Sequence, residues 1–130
     1  MTIPVNAKYT KTHEWVRLEN DGAATIGITD HAQHALGDMV FVELPEIGKQ
    51  VIAGKECGVV ESVKSASDLY SPISGEVIAN NNEVTAIPAL LNQDPQDKGW
   101  LFQVRVKDAK ELDSLMDATA YTTFLTTCEH

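Results

Sequence analysis

The strongest constraint on how this chain can fold is the spacing of its apolar residues. Outside the C-terminal tail they alternate with polar ones in short pieces, and turn-forming residues interrupt them about every eight to twelve positions. Period two sends successive side chains to opposite faces of an extended strand, so each piece has one face to bury. Many short strands of this kind pack as a sandwich or a barrel. The pattern predicts strands over residues 13–18, 23–28, 39–43, 50–53, 56–63, 67–70, 75–80 and 101–106. Asn20-Asp21-Gly22 separates the first two, and such residues tolerate the positive φ of a tight turn, so these strands should pair as a hairpin.

The alternation breaks at residues 30–36. Thr29 or Asp30 can cap a helix there, and Gly37 stands where it would end, which predicts one short helix. In the tail, Asp108 followed by Glu111 has the form of a capping box with aspartate as the cap, and Leu112, Leu115 and Met116 follow at helical spacing. Asp117 can cap a second helix through Tyr121, Phe124 and Leu125, whose apolar face should pack on the sheets. The expected fold class is therefore all-β dominated, a flattened antiparallel β-barrel or sandwich with a short helix and C-terminal helices. Trp15, Val59, Val77, Trp100 and Phe102 are its expected core.

At 130 residues the chain has room for one domain, residues 1–130, and one function should cover it. A net charge of -9 makes nucleic acid and membrane surfaces poor partners, because phosphate backbones and anionic lipid are repelled. No stretch approaches the ~20 apolar residues of a membrane span, and the first twelve residues lack the apolar core of a signal peptide, so a cytoplasmic location is expected. Cys57 and Cys128 have no CxxC spacing and no disulfide framework; reduced thiols without a chemical role are expected.

The segment that carries chemistry is residues 58–77. An apolar strand runs into Val63, a short polar and small-residue break follows, and a second strand-like piece ends at Pro72 and Gly75. Lys64 falls at the tip of the resulting hairpin, where a modifying enzyme can reach its ammonium, and the small neighbours Ser65 and Ala66 leave the approach open. A lysine in a turn is common, however, and composition alone assigns it nothing.

Glu61-Ser62-Val63-Lys64, then Ser67-Asp68 and Ser71-Pro72-Ile73-Ser74-Gly75, resemble the lipoylation signature of glycine cleavage H proteins. The likeness continues through His13-Glu14-Trp15-Val16, Gly27-Ile28-Thr29-Asp30, Leu36-Gly37-Asp38, Val40-Phe41-Val42-Glu43-Leu44-Pro45, Asn92, Asp94-Pro95 and Gly99-Trp100-Leu101-Phe102, and spans residues 9–125. Ser65, where the family more often has alanine, Gln96-Asp97, and the stretch 79–87 are the departures.

The resemblance implies a lipoyl/biotinyl-carrier-like hammerhead fold and a carrier rather than an enzyme, with lipoic acid joined covalently to Lys64. It implies four partners: the pyridoxal phosphate-dependent glycine decarboxylase (P protein), the tetrahydrofolate-dependent aminomethyltransferase (T protein), the dihydrolipoamide dehydrogenase (L protein) and a lipoylating enzyme. In that scheme the aminomethyl group of glycine passes to a lipoyl sulfur, is handed to tetrahydrofolate with release of ammonia, and the dithiol left behind is reoxidised. Glu14 and Asp68 match acidic positions associated with a cleft that shelters the loaded arm, and either can equally be a solvated surface carboxylate. Glu61, three residues before Lys64, is expected to matter to the lipoylating enzyme. The location implied is a bacterial cytoplasm, or the mitochondrial matrix for a mature eukaryotic chain.

An alternative within the family is a lipoyl relay that donates lipoate to other complexes. A biotin carrier would have methionines flanking the lysine, where this chain has Val63 and Ser65. A lipoyl domain of a 2-oxoacid acyltransferase would be shorter and followed by linker and catalytic regions. His31 and His34 are three apart on the predicted helix but lack a third metal ligand, and no metal site is expected. Glu61 and Asp68 imitate a carboxylate pair without the enclosure that acid–base chemistry needs, and no P-loop, GxGxxG or nucleophile elbow occurs.

Overall fold

A computed structural model describes residues 6–19 and 21–127; Asn20 of the predicted turn and Cys128 lie outside the described residues. The period-two pieces form strands β2 (Glu14–Leu18), β3 (Ala23–Ile28), β4 (Met39–Glu43), β5 (Gln50–Val51), β6 (Glu56–Ser62), β7 (Ala66–Tyr70), β8 (Gly75–Asn80) and β9 (Phe102–Val106), with a two-residue β1 (Lys8–Tyr9) ahead of them. A six-stranded sheet runs in the order β1-β2-β3-β9-β8-β5 and a three-stranded sheet in the order β4-β6-β7, with every pairing antiparallel.

The helix predicted over residues 30–36 is α1 (Asp30–Leu36): Thr29 accepts a hydrogen bond from the Ala32 N–H, and Gly37 takes the terminating position at φ 88°. Two helices too short to show a period were not legible in the sequence: α2 (Asn82–Ala86), capped by Asn81, and α3 (Leu90–Gln93). The first predicted strand begins one residue late because His13 has φ 69°, in the left-handed region, and closes a turn back to Thr10.

β2 supplies both apolar clusters by simple alternation. Val16 enters a core to which both sheets contribute, with Ile26, Val42, Val60, Leu69, Val77 and Phe102 among its members. Trp15 faces the other way and packs with Ala7, Tyr9 and Tyr121. Its ring covers Gly27, its partner across the sheet, where a Cβ would come within 2.5 Å of the ring; only glycine fits there.

Three expectations are corrected. Val59 is only partly buried, because a register shift near Glu56 and Gly58 turns Val60 inward instead. Trp100 is half-buried at the margin of the Trp15 cluster. The tail carries a 3-10 helix over Ala109–Ser114, capped by Asp108, and it ends before Leu115 and Met116. Glu111 does not reach back to its cap: its carboxylate accepts from the Ser74 N–H and hydroxyl at 2.7 and 2.9 Å. Met116 is drawn into extended pairing with Tyr9 through two backbone hydrogen bonds of 2.8 and 3.0 Å. The last helix, α4 (Ala118–Thr127), starts as expected at Asp117, which accepts from the Ala120 N–H, and it buries Tyr121 against Tyr9 with ring centroids 4.7 Å apart.

Candidate functional site

The hairpin predicted around Lys64 is present, and its tip is short. β6 ends at Ser62, β7 begins at Ala66, and Val63, Lys64 and Ser65 between them are exposed. Ser62 itself is buried, and its backbone N–H donates to the Ser65 carbonyl at 2.7 Å. Its hydroxyl accepts from the Lys64 and Ser65 N–H groups at 3.3 and 3.2 Å and donates to the Ser65 carbonyl at 3.2 Å. The tip is also tied sideways, because the Val63 N–H donates to the Asp38 carbonyl at 2.9 Å.

Beneath it, Asn92 accepts from the Met39 N–H at 2.9 Å and donates to Gln33 and to the Gly37 carbonyl, which fixes the end of α1 to the start of β4. The stem of Lys64 passes over Gly37, with Cε 3.6 Å from where a Cβ on that glycine would stand. Among the described residues the one ion pair joins Arg17 to Glu19, which leaves the Lys64 amine without a carboxylate partner there. Such an amine is open to acylation: it is in water, on a turn whose backbone is held, with small residues on one side.

The second element of the site is a cleft of about 400 Å³ floored by Glu14 and walled by Thr10, Lys11, Tyr70, Pro72, Leu115 and Met116. Glu14 is 3% exposed, so it is no surface carboxylate. Thr10 and Thr12 donate their hydroxyls to one carboxylate oxygen, the former at 2.7 Å, and the Tyr70 N–H reaches the other at 3.3 Å. Burial pushes its pKa up, and the hydrogen bonds from Thr12, Thr10 and Tyr70 pull it partly back. The carboxyl thus stands at the bottom of a largely apolar cleft, and its ionised form is suited to a small cation.

Asp68 does not share that cleft. It is exposed on β7 opposite Val59, and lines a separate depression with Glu43, Lys49 and Glu56. Glu61 sits on β6 between Phe41 and Ala66, partly buried. His34 is exposed, and the ring of His31 lies 4.6 Å from that of His13; among the described residues no group of three or more potential ligands could hold a metal ion. Burial pushes the Cys57 thiol up to about 12, which keeps it protonated and inert. Sequence reasoning missed Ser62, Thr10, Thr12 and Tyr70. The hydroxyls four and two residues before Glu14 were a readable hint, whereas the Tyr70 contact spans 56 positions.

β7 links the two elements. From Ala66 to Tyr70 it covers roughly 13 Å at ~3.3 Å per residue. Cargo bound beside Glu14 must therefore arrive on an arm much longer than a lysine side chain, and a lysine extended by an acyl group on its amine fits that requirement. Fold and site together define a carrier domain: a small β protein that holds one lysine out on a hairpin.

A family model described as glycine cleavage H-protein matches residues 7–128. The glycine cleavage system H protein of Escherichia coli O139:H28 is 54% identical over 123 residues, 95% of each chain, and that of Aeromonas hydrophila is 57% identical over 119 residues, 92% of each. A crystal structure of a glycine cleavage system H protein from Mycobacterium marinum matches with a TM-score of 0.89 and 40% identity, over 95% of this chain and 99% of that one. The chain belongs to the glycine cleavage H-protein family. Its role is that of a lipoyl carrier in the glycine cleavage system, not that of an enzyme, and lipoate is its covalent cofactor.

Proposed function

We propose that Lys64 is the lysine that carries the lipoyl group, and that the whole chain acts as one unit presenting it. The observation that carries this is the exposed, backbone-held position of Lys64 at the β6–β7 tip, with no described carboxylate paired to its amine. Its attachment is an acyl transfer. The neutral Nζ of Lys64 attacks the carbonyl carbon of an activated lipoyl group; a C–N bond forms, the leaving group departs with the electron pair of the broken acyl bond, and Nζ gives up a proton to a base of the lipoylating enzyme. When bound, the lipoyl group supplies the disulfide that accepts the one-carbon unit of glycine and is afterwards reoxidised.

The residues of this chain do the rest. Glu14 offers its carboxylate to the ammonium of the loaded arm, Thr10, Thr12 and the Tyr70 N–H hold that carboxylate in place, and Leu115 and Met116 exclude water from the cleft wall. Asp68, exposed along β7, flanks the path between the tip and the cleft. Glu61, on the strand that leads into the tip, is recognised by the lipoylating enzyme.

The chain works with the P, T and L proteins of the glycine cleavage system. We place it in a bacterial cytoplasm, a reading supported by its bacterial relatives, and its acidic surface argues against nucleic acid or membrane as a partner. Among the described residues no helix is long and apolar enough to cross a membrane.

The decisive experiment is intact mass after expression with lipoate and a lipoylating enzyme. Parent protein gains one lipoyl group, Lys64→Arg gains none while keeping the parent circular dichroism spectrum, and modification retained in Lys64→Arg refutes the assignment.

A further inference from the structure

The hydroxyl of Ser62 has one proton and two lone pairs, and the tip uses all of them. The proton goes to the Ser65 carbonyl, and the lone pairs take the N–H groups of Lys64 and Ser65. Ser62 is buried at the end of β6, so it belongs to the rigid sheet, whereas the two residues it grips are exposed. One small side chain thus connects the ordered strand to the two amides that set the direction of the Lys64 side chain. The backbone bond from Ser62 to Ser65 closes the hairpin from one side only, and the Val63 bond to Asp38 fixes the residue before the lysine. Neither touches the Lys64 amide.

We propose that Ser62 is a positioning residue for acylation of Lys64: its hydroxyl holds the tip in the one backbone arrangement that directs Nζ at an activated lipoyl carbonyl in the lipoylating enzyme. This rests on the assignment of Lys64 as the modified lysine. Removing the hydroxyl frees two N–H groups on exposed residues at the tip, where water can take its place as acceptor, so the fold loses little. What is lost is orientation. A tip that samples several arrangements still docks, through the strands behind it, but presents its amine correctly for only part of the time. The effect therefore belongs in kcat for lipoyl transfer and not in KM.

The test uses the full chain in three forms, parent, Ser62→Ala and Ser62→Thr, each assayed for lipoyl transfer by the lipoylating enzyme supplied with lipoate and a nucleoside triphosphate. The Ser62→Ala protein should show kcat lowered about tenfold with KM unchanged, and Ser62→Thr, which keeps the hydroxyl, should recover most of it. Acylation of Lys64 by acetic anhydride, which needs no docking geometry, should proceed equally in all three. Amide exchange at Lys64 and Ser65 should quicken in Ser62→Ala alone. Should Ser62→Ala fold poorly, Ser62→Cys keeps the bulk with a much weaker acceptor and should show the same kcat loss.

An unchanged kcat in Ser62→Ala overturns the proposal, as does a parallel loss of anhydride reactivity, which would mean that access and not orientation had changed. Those failures leave Lys64 as the modified residue. Lipoylation of Lys64→Arg would instead remove that assignment, so the two failures are distinguishable.

Discussion

The tip that presents Lys64 and the cleft floored by Glu14 solve opposite problems with the same strand. β7 starts beside the lysine, where the residues are exposed and no described carboxylate pairs with the charge, and ends at Tyr70, whose N–H helps to hold a buried carboxylate. A lysine that several enzymes must handle has to stand in water, and standing there costs the fold almost nothing. A carboxylate that recognises one form of the cargo has to be partly desolvated, because the attraction to an ammonium grows as water is removed, and the empty protein bears that desolvation continuously. On the roles proposed for Lys64 and Glu14, reactivity is placed where stability is indifferent, and selectivity where stability is sacrificed.

If that contrast is right, the largest effect comes from neutralising the cleft. Glu14→Gln keeps the shape and most of the hydrogen bonds but removes the charge, so a carrier loaded with the aminomethyl group should release ammonia about tenfold faster in the absence of the tetrahydrofolate enzyme. Lipoylation and reoxidation of the dithiol should stay near the parent rates. Asp68→Asn should raise the release rate by about threefold or less, since an exposed carboxylate attracts weakly, and in the double variant the two should multiply. Equal release from parent and Glu14→Gln would reduce the cleft to a structural feature.

A smaller effect is expected at the other end of the strand pair. Glu61 is partly exposed on β6, away from the cleft, so Glu61→Gln should slow lipoyl attachment by about threefold, leave the unfolding midpoint within a degree or two, and leave ammonia release from the loaded form untouched. Attachment at the parent rate would take Glu61 out of the site.

How much of this was readable from the sequence follows the range of the interactions. Where the signal is local it was read to the residue: β3, β4, β8 and α1 have the expected bounds, because alternation and the Thr29 cap are written within a few positions. The tip of the hairpin was read for the same reason. The tail was misread where a distant partner intervenes. Glu111 left its cap for Ser74, and Met116 left the helical pattern for Tyr9, contacts that span 37 and 107 positions and leave no local trace. The burial of Glu14 belongs with these, since the walls of its cleft come from β1, β7 and the segment after the 3-10 helix. Ser62 is a different case: its bonds are all within three residues, but no apolar period marks them.

The smallest predicted effect is the most direct measure of what the cleft costs, and its sign is unusual. A carboxyl held by donors normally has a lowered pKa and stabilises the fold above its ordinary titration range. Glu14 is the reverse: burial outweighs its three donors, so its pKa in the folded chain lies above the unfolded value of about 4.3. Between those two values the folded protein binds the proton that the unfolded chain has released, so the stability linked to Glu14 is fully present below the unfolded pKa and is lost as pH rises through the folded one. Above the folded pKa the ionised form is therefore a burden that Glu14→Gln relieves, and at neutral pH the variant should unfold at a modestly higher temperature than the parent. The advantage should shrink as the pH is lowered and vanish near pH 4, because parent and variant then both carry a neutral group. A variant that melts lower than the parent at pH 7 would show that the Thr10, Thr12 and Tyr70 hydrogen bonds outweigh the desolvation. The carboxylate would then stabilise the fold, and the exchange of stability for selectivity at the cleft would have to be abandoned.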